Sequence, residues 1–211
     1  MASTNNNITN KHALDSAQDP SERFELMHPP PSPFDPYNDR PISTNKYATR
    51  KHVHTNGLWH CSVHIWIVNP TKQLILLQKR SLTKDTFPGR WDISSAGHVE
   101  ADTSLIRTAQ LELAEELGID NVTKDELKLA FVIPAKQANM GGCNAYEHVY
   151  FLVRDDTTKE QFALGTAEVS EVAWMPVQEV LNALRNVDDG YAPRTQQYVD
   201  AMEKELHNIL K

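Results

Sequence analysis

The sequence has no apolar run approaching the about 18 residues a membrane-crossing helix needs, so no transmembrane span is expected. Cysteine is scarce. Cys61 and Cys143 stand far apart with no CxxC pattern, which excludes a disulfide framework and points to a reducing compartment. The opening residues, MASTNNNITNKHALD, lack the apolar centre of a secretory signal. Basic residues are outnumbered, 21 Lys and Arg against 28 Asp and Glu, and the net charge is −7 with no Lys/Arg-rich block. Such a chain has little attraction for a polyphosphate backbone, so a nucleic-acid polymer is not an expected partner. The expectation is a cytoplasmic protein with no membrane partner. With 40% hydrophobic and 23% charged residues in 211, there is enough for one domain of ordinary size and an additional segment.

The additional segment is N-terminal. Residues 1–41 are polar and then proline-rich, HPPPSPFDPYNDRP holding six of the twelve prolines. Such composition predicts a disordered or extended tail without a core, ahead of a domain over 42–211. In WHCSVHIWIVN, Cys61, Val63, Ile65 and Ile67 alternate onto one face, which predicts a strand over 59–69. Further strands are predicted at 74–80, 127–135, 145–153 and 171–177, with loop and short extended pieces across TFPGRWDISSAGHVE. Asp102 or Thr103 is the expected cap of a helix that ends at Leu117, before Gly118. Its apolar stripe is Leu105 or Ile106, Ala109, Leu113 and Leu117. Two helices, near 177–186 and 194–210, close the chain. This order gives an α/β domain with a mixed β-sheet covered by helices.

In that first helix LELAEELGI sets Glu112, Glu115 and Glu116 at i, i+3 and i+4 on one face. Each like-charge pair costs about 0.2–0.5 kcal/mol, and anions near a helix C-terminus oppose the dipole. A solvated polar face is one reading. The other is a site for a hard divalent cation, because oxygen ligands suit Mg²⁺ and Mn²⁺ and a cation relieves the repulsion.

The surrounding segment GHVEADTSLIRTAQLELAEELGI (97–119) resembles the box of the Nudix hydrolase family, in which Gly97, Glu112, Leu113, Glu115, Glu116, Gly118 and Ile119 match fixed positions. The resemblance implies a Nudix-type α/β/α sandwich that cleaves a diphosphate bond. It implies Mg²⁺ or Mn²⁺ on Glu112, Glu115 and Glu116, with the Gly97 carbonyl as a further ligand and a carboxylate as base. Two box positions depart: Thr103 stands for a Glu and Leu111 for an Arg, so charge partners that orient Glu112 are missing.

Upstream, GLWHCSVHIWIVN and LILLQKRSLTKDTFPGRWDISSAGH resemble the Nudix subgroup related to isopentenyl-diphosphate isomerase. By that resemblance Arg80 and Lys84 grip a substrate diphosphate, the alternative being ordinary strand-end and loop charges. The isomerases also bind a metal through three histidines and two glutamates. His60 and His98 match two of the histidines, His54 the third only loosely, Glu147 one glutamate, and Ala145 occupies the other position. A catalytic cysteine of the isomerases is replaced by Ala96, which argues against isomerase activity. Glu147 is read either as a catalytic base or outer metal ligand, or as a buried partner of an Arg or His. His60 and His98 are expected to line the substrate site, and Glu168 and Glu171 are weaker candidates for the base. The expected partner is a small-molecule diphosphate, with a homodimer compatible with the family. A domain that binds a diphosphate without cleaving it is the alternative of another class.

Overall fold

A computed structural model describes residues 19–84, 86–138, 142–155 and 162–211. Residues 1–18 of the expected tail lie outside the described residues.

The fold is organised about β3 (His60–Asn69), every residue of which is buried. It pairs in parallel with β8 (Asn144–Val153) from His60↔Ala145 to Val68↔Val153. A strand covered on both faces must be apolar on both, and the two faces of β3 feed different layers. Val63, Ile65 and Ile67 meet Ala109, Leu113 and Leu117 of α2 (Leu105–Leu117). Trp66 and Val68 meet α3 (Val177–Arg185) and α4 (Gln196–Ile209) through residues such as Val180, Tyr198 and Met202. This is the expected mixed sheet between helical layers. The sheet is extended by β4 (Leu74–Arg80), β7 (Lys128–Lys136) and β9 (Val169–Pro176), which pair antiparallel with β3, β8 and β4 respectively.

A fork in this sheet positions the site. β3 and β4 share only Val68↔Ile75 and Asn69↔Leu74 before they part. In the opening, β6 (Ser95–His98) takes over pairing with β3, while β5 (Trp91–Asp92) pairs with β4. The short extended pieces expected in TFPGRWDISSAGHVE are these two strands. β6 leads directly into the turn before α2, so Gly97 faces the helix that carries the glutamates.

Two local expectations are corrected. The cap of α2 is Ser104, whose hydroxyl accepts from Arg107 N at 3.2 Å, not Asp102 or Thr103. Ser104 has the extended backbone (φ −83°, ψ 153°) a cap needs, whereas Asp102 is left-handed at φ 67°. The C-terminal end follows expectation, with Gly118 left-handed at φ 72°.

The second correction concerns the tail. Residues 23–27 form β1 (Arg23–Met27), paired antiparallel with β2 (Ser43–Thr49). Phe24 is fully buried, and Phe34 packs with Cys61, Val132 and Tyr146. Proline density signals a lack of regular structure, but two aromatic anchors suffice to seal this segment onto the domain. β2 runs into α1 (Arg50–Asn56), capped by Thr49 and ended by Gly57.

Candidate active site

α2 presents its three glutamates at three depths. Glu115 is exposed at the rim, Glu112 is partly covered, and Glu116 is buried at 3% exposure. One Glu116 carboxylate oxygen accepts from Ala96 N at 3.0 Å and from Gln78 Nε2 at 3.1 Å. Burial, with the charge of Glu168 adding, pushes Glu116 up to about 7. Glu112 is also raised, by desolvation first and then by Glu116, Glu168 and Glu115.

Gly97 is a glycine for a spatial reason. A Cβ there would lie 1.7 Å from Glu112 Oε1 and 2.0 Å from its Cδ, so the carboxylate rests in the place of the missing side chain. A recess that any side chain would fill, occupied by one carboxylate of a crowded set, fits a hard divalent cation. Glu112, Glu115, Glu116 and the Gly97 carbonyl would hold it.

Glu112, Glu115 and Gly97 line a cleft together with Arg80, Lys84, Glu147, Glu168, His98 and Cys143. Most residues singled out in the sequence therefore meet in one place. Three do not line it. Glu116 lies behind the wall, Glu171 is exposed and pairs with Lys79, and His60 is fully buried, which corrects its expected contact with substrate. His60 stacks at 5.1 Å on Phe24 and at 4.9 Å on His98.

The basic pair has partners. Arg80 donates to Asp92 at 3.0 Å and to the carbonyl and hydroxyl of Thr86 at 2.7 and 2.9 Å. Lys84 Nζ is 2.5 Å from Glu168. Glu147 is 6% exposed and faces His64 at 3.8 Å, with Arg194 nearby. Burial pushes it up to about 7 despite the Arg194 charge. Glu147 is thus buried beside His64 and also forms part of the cleft wall.

Sequence reasoning missed Asp92 and Arg194. The buried Asp92 carboxylate accepts from both Arg80 and Arg194, holding two guanidiniums side by side at the cleft floor. Arg194 stands immediately before α4, over the Tyr198 ring at 5.6 Å, where no local pattern announces a site residue. Also missed was Cys143, 3.5 Å from His98 Nε2.

A profile of the NUDIX domain matches residues 58–197, and the chain belongs to this family of hydrolases. It is 40% identical over 165 residues to Nudix hydrolase 3 of Arabidopsis thaliana, covering 76% of this chain and 21% of that protein, so it spans about a fifth of that relative. An uncharacterized Nudix hydrolase of Clostridium acetobutylicum is 31% identical over 144 residues, covering 67% of this chain and 69% of its own. Among solved structures, DR0079 from Deinococcus radiodurans aligns with a TM-score of 0.56 at 17% identity, over 90% of this chain and all (100%) of that one. The MutT protein of Methanosarcina mazei aligns at 0.52 with 22% identity, over 72% and 96%. These last likenesses concern the fold.

Proposed function

We propose that this chain hydrolyses a phosphoanhydride bond in an organic diphosphate, a nucleoside-diphosphate-linked compound or another of that class, using Mg²⁺ or Mn²⁺ held on Glu112, Glu115, Glu116 and the Gly97 carbonyl. The observation that carries the reading is the fit of Glu112 into the recess of Gly97, with Glu115 at the same cleft and Glu116 buried behind its wall. Bound divalent cations neutralise diphosphate charge and lower the pKa of water. The protein's own groups do the rest. Arg80 and Lys84 line the same cleft as Glu112 and Glu115 and offer N–H donors to phosphate oxygens, in competition with Asp92 and Glu168. Glu147, with its elevated proton affinity, is a group that accepts a proton near neutral pH, and Glu168 is a second carboxylate at the cleft wall.

The isomerase-like reading lacks support at its centre. Ala96 stands at the position of the thiol, and the neighbouring Ser95 is fully buried. The test is product release from a panel of nucleoside triphosphates, ADP-ribose, NADH, CoA, thiamin diphosphate and isopentenyl diphosphate with either metal. Metal-dependent phosphate or monophosphate release that disappears in Glu116→Gln supports hydrolysis. Ligand-induced thermal shifts with no product would instead support a binding domain.

A further inference from the structure

A chain of polar groups runs inward from Glu147, and the hydrolytic reading does not use it. Trp66 of β3 donates its indole N–H to the Tyr198 hydroxyl of α4 at 3.0 Å. His64, on the same strand, places Nδ1 3.2 Å from that hydroxyl. Its other nitrogen, Nε2, lies 3.8 Å from Glu147 Oε1, between the paired strands β3 and β8. Trp66 and Tyr198 are fully buried, and His64 and Glu147 are exposed only where they line the cleft. Groups so placed depend on one another for hydrogen bonds rather than on bulk water.

We propose that His64 and Tyr198 are positioning residues for Glu147: the Tyr198 hydroxyl fixes the His64 ring as the tautomer protonated at Nε2, and that N–H is aimed at the carboxyl group. The inference rests on the hydrolytic reading for the role of Glu147 as proton acceptor.

The order of donors assigns the tautomer. An indole nitrogen only donates, so the Tyr198 oxygen accepts from Trp66 and has one proton to give. His64 Nδ1 is the acceptor within reach of it. A neutral imidazole that accepts at Nδ1 carries its proton at Nε2. Burial, with the Arg194 charge next, holds His64 well below the usual histidine range, so the ring is neutral. His64 and Glu147 are therefore not an ion pair, and a neutral N–H faces the carboxyl group. The other charged or titratable groups around the chain are Arg194, Asp92 of β5, Arg80 of β4, His148 of β8 and Cys143. Among them Asp92 is held by Arg80 and Arg194.

At 3.8 Å the His64–Glu147 contact is longer than a hydrogen bond. Catalytic hydrogen bonds are often long in an unliganded site and tighten when substrate binds. While Glu147 keeps its proton, the N–H meets a weak acceptor. As Glu147 ionises, the carboxylate draws the N–H in, and that bond favours the charged form. His64 thus opposes the burial that pushes Glu147 up to about 7, and it sets which way the carboxylate points. In hydrolysis the water oxygen bonds to phosphorus while the bridging P–O bond breaks, its electron pair leaving on the departing phosphate. The water proton goes to Glu147 and from there to solvent, and His64 keeps its own proton throughout.

Nitrogen and carbon NMR on the full chain with Mg²⁺ is the test. The His64 nitrogen shifts, assigned through their loss in His64→Gln, should be those of a ring protonated at Nε2 alone. Tyr198→Phe removes only the hydroxyl and should bring in the form protonated at Nδ1. The Glu147 carboxyl, assigned through Glu147→Gln, should titrate at higher pH in Tyr198→Phe and in His64→Met than in the parent. His64→Gln, whose amide restores an N–H donor, should move it back toward the parent value. In turnover, the acid limb of the pH profile should shift upward in Tyr198→Phe and His64→Met. There kcat should fall by about 10-fold, the effect of one hydrogen bond, with KM unchanged. A parent that turns over no diphosphate counts against the hydrolase reading, while the tautomer and the Glu147 titration, which need no substrate, still decide this inference. Circular dichroism identifies the folded variants, and Tyr198→Phe carries the test if His64→Met does not fold. A parent His64 protonated at Nδ1, or a Glu147 titration unchanged in folded Tyr198→Phe, would overturn the proposal.

Discussion

At the scale of single residues, the site depends on carboxylates held where charge is unfavourable. Glu147 is raised by burial from 4.5 to about 7. The folded protein thus keeps this proton over a pH range in which the unfolded chain has released it. The associated stability is fully present below the unfolded value and is lost as pH rises toward the folded one. Glu147→Gln has no such loss. Its stability relative to the parent should therefore rise by up to about 3 kcal/mol between pH 4.5 and 7 and then level off, as read by urea unfolding of the metal-free proteins. A pH-independent difference would show that Glu147 does not titrate in this way. Gly97→Ala tests the recess. The nearest atoms are the flexible end of Glu112, so the fold should survive while the carboxylate is displaced. Metal affinity should fall about 10–100-fold, measured by Mn²⁺ titration, with little change in melting temperature.

At the scale of elements, α2 is an amphipathic helix whose apolar side was plain in the sequence and whose polar side borders the cleft. Ala109, Leu113 and Leu117 recur at helical spacing and are all fully buried. The stop at Gly118 was equally legible because only a left-handed residue completes that turn. The start was less so, because Asp, Thr and Ser all cap and the left-handed backbone that disqualifies Asp102 leaves no mark in the sequence. Ser104→Ala should cost about 1 kcal/mol and Leu113→Ala about 2–5 kcal/mol in denaturant unfolding. A smaller effect of Leu113→Ala than of Ser104→Ala would contradict the assigned layer between α2 and β3. β1, β2 and α1 were not read at all. Their residues are polar and proline-flanked, and their order comes from contacts of long sequence separation, such as Phe24 with His98.

At the scale of the whole molecule, the site is assembled from distant pieces of chain. Arg80 and Gly97 come from the fork in the sheet, Glu112 from α2, Glu147 from β8 and Arg194 from the segment before α4. The box motif carried the glutamates in the sequence because its spacing is local. Asp92 and Arg194 were illegible because their pairing spans the length of the domain. Residues 19–41 of the N-terminal segment belong to the folded body in the same sense. Phe24→Ala should destabilise the protein by about 3–5 kcal/mol and open the wall over His60, seen as a lower thermal midpoint. Among the described residues no helix is long and apolar enough to cross a membrane.

The most direct measurement of the central claim is product release from the diphosphate panel by the intact chain with Mg²⁺ or Mn²⁺, beside Glu116→Gln. Metal-dependent cleavage at a phosphoanhydride bond that vanishes in the variant is the predicted result. Cleavage that persists in Glu116→Gln, or none for any compound while ligands still raise the melting temperature, would contradict it.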